Sequence, residues 1–482
     1  MRLIMQILCF CFLSAYIYAQ GTLSLAQAIT LAQHKGIVAA QGQKTAAVAD
    51  LNLELVYAQL KPQVRMDAQI PNIYRSSAAI TQPDGSIQFQ PISQDNSIIN
   101  IRGSKRFLSS NTSVYAQMSN QRFHDFHQGF TSYNVIPITL GIEQGVHQFN
   151  SLKWDEKIAK LDRKIANIEL NVNREKIAAE VTQAYFELLR AQVNREIAQS
   201  NKANNEILYE LAEERYRLGK ISKSELLQLQ LGLNSAVQSE LSAYRSVLEA
   251  NANLKTELNH ELSSDEIIQV SPPTIDESLY INGLQAAELA WLHRPEAKEM
   301  EKLLLQAQRA IDLADKSNGW QASFRANLGY VGSGINLSNA YSDPQIEALI
   351  QIGISIPIVD GGFRRKSIEI AKLESDFIKR QNDYDEAVFK QKIRQLVEQI
   401  NQLQNEVQLA HTSYSIARER YNIVNQRFVL NDISITDLTL AFSERDQAWR
   451  NYIDILQAYW VNYYIIRQLT LFDFTTDNTI NQ

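Results

Sequence analysis

The chain has 482 residues, a formal net charge of −6 and 21% charged side chains, and it lacks the basic tract that a nucleic-acid-binding protein carries. Its only cysteines, Cys9 and Cys11, lie in the first stretch, so the rest of the chain has no disulfide or thiol chemistry. With 18 Gly and 10 Pro the composition suits a mostly helical protein, and no later segment approaches the roughly 18 consecutive apolar residues of a membrane-spanning helix. Any membrane crossing must therefore be made by strands.

Residues 1–19 read as a secretory signal peptide. Arg2 gives a basic start, Ile4 to Leu13 an apolar core, and Ala19 a small residue before a cut at Gln20. Leu8 before Cys9 and Phe10 before Cys11 speak against a lipid-modified cysteine. Next, Leu23-Ser-Leu-Ala-Gln-Ala-Ile-Thr-Leu-Ala opens a helix with Ser24 as N-cap and Gln27 three residues on. The helix continues to about Leu60, with a break near Gly36, and Pro62 stops it. Gln63 to Ile70 then alternates, with Val64, Met66, Ala68 and Ile70 on one face and Gln63, Arg65, Asp67 and Gln69 on the other. That is the pattern of a strand facing lipid on one side and water on the other.

Residues 71–133 are rich in Ser, Asn, Gln, Pro and Gly, with weak strands over Ser97–Ser104 and Thr112–Asn120. Val135 to Glu143 is a stronger strand, with Pro137 near its start, where a missing backbone donor is tolerated. A helix without Gly or Pro runs from about Ser151 to Leu218, and another from Ser222 to Leu258. Residues 263–280 read as a linker. A helix over Ile281–Lys316 is interrupted at His293-Arg-Pro295, and a strand follows over Ala322–Tyr330. A further strand, Ala348 to Ile356, turns through Pro357, Asp360, Gly361 and Gly362 into a helix of about 70 residues, roughly 100 Å long. Its apolar positions Leu403, Val407, Ala410, Tyr414, Ala417, Tyr421, Val424 and Phe428 follow the 3,4 spacing of helices packed side by side. A last helix spans Thr436–Leu471, and the polar tail from Thr475 reads as frayed.

The chain contains an internal repeat. At an offset of 258, Ala28 matches Ala286 and Ala32 matches Ala290. At an offset of 212, Ile158-Ala-Lys-Leu161 matches Ile370-Ala-Lys-Leu373, Arg215 matches Arg427, Tyr216 Phe428, Gly219 Asn431, Ser222 Ser434 and Glu225 Asp437. The offsets differ by 46 residues, which fall in the polar segment around 71–133 of the first half. The halves are 20–262 and 281–474, each reading helix, strand, strand, long helix, turn, helix. Four strong strands do not close a barrel alone, and lipid forbids open strand edges, so other subunits should complete it. At the turns, Gly219 and Asn431 stand where a left-handed residue ends a helix, and Ser222 and Ser434 are N-caps of the next.

These features resemble the TolC family of outer-membrane efflux proteins over nearly the whole chain after the signal. The resemblance rests on Leu23-Ser-Leu-Ala-Gln-Ala-Ile-Thr-Leu-Ala, His293-Arg-Pro-Glu296, Ile354-Ser-Ile-Pro-Ile-Val-Asp-Gly-Gly362 and, most specifically, Arg215-Tyr-Arg-Leu-Gly-Lys-Ile-Ser-Lys-Ser-Glu-Leu-Leu227. Phe149-Asn-Ser-Leu-Lys-Trp-Asp155 and Gln457-Ala-Tyr-Trp460 add to it. It implies a mainly α protein with a membrane β-barrel portion: long helical hairpins of a homotrimer form an α-barrel tunnel continuous with a shared outer-membrane β-barrel. The function implied is a passive exit duct of a tripartite efflux pump or type I secretion system, exporting drugs, small molecules or proteins. It would sit in the outer membrane with a long periplasmic portion. A periplasmic adaptor would link it to an inner-membrane RND, ABC or MFS pump.

The adaptor would dock at Arg215, Tyr216, Gly219 and Ser222 and at Arg427, Phe428, Asn431 and Ser434. Asp437, Asp432 and Glu225 are candidate pore or gate residues, since threefold symmetry would make Asp437 a ring of three carboxylates. Here the sequence departs from the family. The second acid expected three residues after Asp437 is Leu440, and the constricting arginine expected near the turn is Ile433. The usual four barrel strands per subunit also leave the 71–133 insertion as either extra wall or external structure. Tyr74, Tyr133, Tyr330 and Tyr341 flank strands as candidate membrane-interface aromatics. His124-Asp-Phe-His127 is a poor metal site, and no catalytic constellation, cofactor motif or metal set stands out. The alternative reading is a periplasmic coiled-coil adaptor or structural protein of an envelope-spanning complex.

Overall fold

A computed structural model describes residues 22–35, 37–258, 266–276, 279–430 and 432–480. The expected signal peptide lies outside them. The chain divides into two compact units: Met1–Ala46, Ile165–Ala297 and Tyr384–Gln482 form one, and Ala47–Lys164 and Lys298–Asp383 the other. In chain order the elements are α1 (Leu25–Lys35), α2 (Ile37–Ala58), β1 (Gln63–Gln69), β2 (Ile73–Thr81), β3 (Ile87–Phe107), β4 (Thr112–Asp125), β5 (Phe130–Val146), α3 (Ser151–Arg217), α4 (Lys223–Glu257), α5 (Gly283–His293), α6 (Pro295–Ser317), β6 (Gln321–Gly334), α7 (Leu337–Ser342), β7 (Gln345–Ser355), α8 (Phe363–Val429), α9 (Ile435–Thr470), β8 (Phe472–Asp473) and β9 (Asn478–Thr479). Among the described residues no helix is long and apolar enough to cross a membrane.

The first unit is helical. Its core joins Ile177, Val181, Tyr185 and Leu188 of α3, Val247 and Leu254 of α4, Ile393, Val397 and Ile400 of α8, and Ile453, Leu456 and Tyr459 of α9. The repeat is visible in it: Ala28 and Ala32 of α1 and their matches Ala286 and Ala290 of α5 are all fully buried. A methyl at these positions lets the short helices approach the long ones closely. Ser24 and Gln27 form the expected reciprocal cap, each backbone N–H bonded by the other's side chain at 3.0 and 3.3 Å. The expected break at His293-Arg-Pro295 is also present: Arg294 is extended and Pro295 occupies the first position of α6, where its missing N–H costs nothing.

Two segments differ from the sequence reading. Residues 266–271, expected to be linker, form a strap across the core. Val270 bridges Leu23, and Asn251, Gln192 and the Tyr185 hydroxyl hold the backbone of Glu266, Ile268, Val270 and Ser271. The tail is likewise not frayed through Ile480. It folds back as the β8–β9 hairpin, and Ile480 N–H donates to the Leu471 carbonyl at 2.8 Å. The anchor is a buried charge network in which Arg467 donates to Glu175 at 3.0 Å and to Asp473 at 2.9 Å. Side-chain amides and a tyrosine hydroxyl fix the strap and a charge network fixes the tail, while buried Val270 and Phe472 add apolar contact to each.

The second unit contains a seven-stranded antiparallel sheet in the order β1-β3-β4-β5-β6-β7, with β2 pairing β3 in line with β1. The four strong strands are present, the weak ones expected over Ser97–Ser104 and Thr112–Asn120 lie within β3 and β4, and β2 is the seventh. Gln63 of β1 and Gln321 of β6 are equivalent by the 258 offset, and β5 and β7 by the 212 offset. The β6–β7 pair is thus the second copy of β1–β5, and β3–β4 is a hairpin inserted between β1 and β5. The 71–133 segment adds strands to the sheet wall. Its β2 gives no strand signal in the sequence, since Tyr74-Arg-Ser-Ser-Ala carries no apolar alternation; its pairing with β3 is made by the backbone.

β5 begins at Phe130, so Pro137 sits in mid-strand and not near the start. The register slips there against both neighbours, and this bulge absorbs the missing donor. One sheet face is apolar and open: Val64, Met66, Leu140, Leu328, Ile350, Ile352 and Ile354 are all exposed, Ile350 at 77%. The opposite face carries Arg65, Arg102, Gln117, Glu143, Arg325 and Gln351. Both outer strands, β1 with β2 and β7, leave one edge unpaired.

The Glu175–Arg467 pair should be a main stabiliser of the helical unit. Glu175→Ala leaves a buried guanidinium half-compensated, and a loss of about 3 kcal/mol is expected, read as a lowered thermal midpoint; an unchanged midpoint contradicts it. Burial pushes the Tyr459 and Tyr464 hydroxyls up to about 12. The unfolded chain ionises its tyrosines near pH 10, so this contribution is intact below about pH 10 and is lost as pH rises toward 12. Helical circular dichroism and tyrosinate absorbance should change together in that window. Tyrosinate appearing with the helices intact would contradict the assignment.

Candidate functional site

The first helical turn joins α3 to α4. Gly219 has φ +69°, a conformation that disfavours any side chain, although open space surrounds its Cα. Lys220 N–H reaches back to the Arg215 carbonyl at 2.8 Å and Gly219 N–H to that of Tyr216 at 2.9 Å, closing the helix end. Ser222 and Glu225 then form a full capping box: Ser222 N–H donates to Glu225 Oε2 at 2.7 Å and Glu225 N–H to Ser222 Oγ at 3.2 Å. The backbone bond from Ser222 holds the Glu225 carboxyl below its ordinary range. Glu225 therefore serves the cap. Tyr216 is exposed, with Lys223 Nζ 5.3 Å above its ring.

The second turn joins α8 to α9. Asn431 lies outside the described residues. Ser434 caps α9 by accepting from Asp437 N–H at 3.2 Å, and its hydroxyl donates to Asp437 Oδ2 at 2.7 Å. Asp432 N–H donates to the Arg427 carbonyl at 3.0 Å, and the Arg427 guanidinium grips the Asp432 carboxylate at 2.9 Å. Phe428 is half-buried. The two turns thus differ chemically. The first ends on exposed Tyr216 and Lys220, and the second on a carboxylate tied to its own arginine. Buried Leu226 and Leu438, each on the helix that follows the turn, hold both in place.

The polar sheet face holds a group that sequence reading passed over. The Tyr115 ring lies flat across Gly141 of the next strand, where a Cβ would overlap the ring. Arg102 covers the ring from the other side, its guanidinium 3.9 Å from the centroid. Gly141 opposite an aromatic was the available signal, once the register between β4 and β5 was known. Of the candidate interface aromatics, Tyr74 and Tyr330 are exposed, Tyr133 is half-buried, and the Tyr341 hydroxyl donates to Asn120 Oδ1 at 2.5 Å. His124 pairs with Thr131 at 2.8 Å and Asp125 accepts the backbone N–H groups of His127 and Gln128, so this motif builds the β4–β5 turn. Among the described residues no cluster of His, Cys, Asp or Glu has metal-binding geometry.

Comparison with known proteins accords with this geometry. The outer membrane efflux protein family model matches residues 93–260. No curated protein sequence matches the chain. Among solved structures, the Campylobacter jejuni CmeC outer membrane channel superposes with a TM-score of 0.63 at 15% identity, covering 95% of this chain and 90% of that one. The Vibrio cholerae outer membrane protein VceC gives 0.62 at 14% identity, covering 92% and 95%. The Neisseria gonorrhoeae MtrE outer membrane channel gives 0.62 at 14%, covering 92% and 88%. At these identities the superpositions establish a shared fold, helical with a β-barrel portion. With that fold and the family match over residues 93–260, the chain is similar to the outer membrane efflux protein family, the TolC family that its motifs resemble.

Proposed function

We propose that the chain is the passive exit duct of a tripartite efflux pump or type I secretion system. In this reading it acts as a homotrimer in the outer membrane, with a periplasmic portion that docks an adaptor. The single observation that carries the reading is the amphipathic sheet: one face apolar and exposed, the other charged, and both edges unpaired. In hydrocarbon such edges must be closed by more strands. Three copies of a six-position wall make a barrel of roughly 18 strands, wider than one built on four positions per copy. A periplasmic adaptor has no use for an exposed apolar sheet of this extent.

The turns at Gly219 and Ser434 are the proposed docking tips. Arg215, Tyr216, Gly219 and Ser222 form one, and Arg427, Phe428, Asn431 and Ser434 the other. Asp437 is the proposed gate residue, a carboxylate repeated in each copy. Asp432 is held by Arg427 within its own tip and Glu225 within its cap, so both act through tip geometry. Cargo selection belongs to the inner-membrane partner, which is an RND, ABC or MFS pump in this reading.

Purified protein should give stepwise conductance in planar bilayers, and Asp437→Ala should open it more readily. Absence of a channel in both proteins sinks the reading. Gly219→Val forces a β-branched side chain into a left-handed position, with local strain of about 1–3 kcal/mol. Bilayer conductance should survive this change. Export should fall, measured as survival of a channel-deleted host on toxic substrates. Unchanged export argues against docking at this tip.

A further inference from the structure

The polar face of the sheet has a charge arrangement that a neutral conduit does not require. Arg65 of β1 stands directly opposite Arg102 of β3 in the antiparallel register. Like charges in that position destabilise a strand pair unless something else neutralises them. Arg102 Nη2 and Arg325 Nε each lie 3.6 Å from the same oxygen of Glu143. One carboxylate is therefore shared between two guanidinium groups, at a distance too long for a hydrogen bond. Among the described residues Arg65 has no carboxylate within 4 Å. The other acids of this face are Asp67 of β1, opposite Asn100, Glu347 of β7, opposite Gly329, and Asp125 at the end of β4, opposite Gln94.

The arrangement is built, not incidental. Arg102 is held by the Tyr115 ring and by Gln117 Oε1 at 3.5 Å, and the ring in turn needs Gly141 beneath it. Arg102, Tyr115 and Gln117 all belong to the inserted β3–β4 hairpin, so the insertion brings this charge as well as two strands. Arg65, Arg102 and Arg325 outnumber Glu143 locally, and in a closed wall the excess repeats with each copy. Rings of one charge sign set the ion preference of a pore.

We propose that Arg65, Arg102 and Arg325, arranged around Glu143, form an anion-recruiting belt on the water-facing wall of the barrel. It binds small inorganic anions and the carboxylate or phosphate groups of passing solutes. The proposal rests on the duct reading. The test is the reversal potential of single channels under a potassium chloride gradient. The wild type is compared with Arg102→Gln/Arg325→Gln and with Arg102→Lys/Arg325→Lys. The chloride-to-potassium permeability ratio should fall about twofold or more in the glutamine variant and be retained in the lysine variant.

In the wild type alone, the ratio should also approach that of free diffusion as salt rises from about 0.1 M to 1 M, because the screening length falls from about 10 to 3 Å. A glutamine variant that conducts with the wild-type ratio, or a wild-type ratio insensitive to salt, overturns the belt and leaves the duct reading standing. A wild-type protein that forms no channel overturns both.

Discussion

A strand edge in hydrocarbon exposes backbone N–H and C=O groups that nothing can hydrogen-bond, at several kcal/mol each. Most of this fold follows from that constraint. The sheet has an apolar face that water penalises and edges that lipid penalises. A closed wall in a membrane satisfies both. In the chain, Val146 and Ser355 are followed within a few residues by α3 and α8, each of 67 residues. These long helices bury their heptad stripe where partners exist: Leu403, Val407 and Ala410 are buried, and Tyr414 to Phe428 are half-buried toward the turn.

The sequence made visible those elements whose side chains are sorted by solvent. Period-two alternation marked β1, β6 and β7, the absence of Gly and Pro marked α3 and α8, and Ser24, Ser222 and Ser434 marked the starts of α1, α4 and α9. What stayed hidden depends on backbone pairing and on polar contacts between segments distant in the sequence. β2 has no apolar face of its own, the 266–271 strap hangs on Gln192 and Asn251, and the tail returns through Arg467 and Asp473. The candidate site was legible in part. The tip motifs were found by repeat and resemblance. The tying of Asp432 to Arg427 and of Glu225 to Ser222 required coordinates, as did the Tyr115–Gly141–Arg102 stack, whose members come from three strands.

The two halves of the repeat have diverged at their turns and in their strands and stayed alike in the helical core. Ala28 and Ala32 keep their counterparts Ala286 and Ala290 in the core. The turns differ, Gly219-Lys220 against Asn431-Asp432, and the first half alone carries the β3–β4 hairpin. An inserted hairpin is a low-cost change to a barrel wall, because two added antiparallel strands preserve the direction of the strands on either side. It widens the closed barrel and changes its lining together.

The central claim is that the open sheet of one chain is a fraction of a closed barrel. Native mass spectrometry of the protein extracted from outer membranes tests this most directly. A particle of three chains, with no one-chain species until the detergent shell is stripped and the protein unfolds, is the predicted result. A stable, folded single chain in the micelle would contradict the account, because both edges of its sheet would then be open to an apolar solvent.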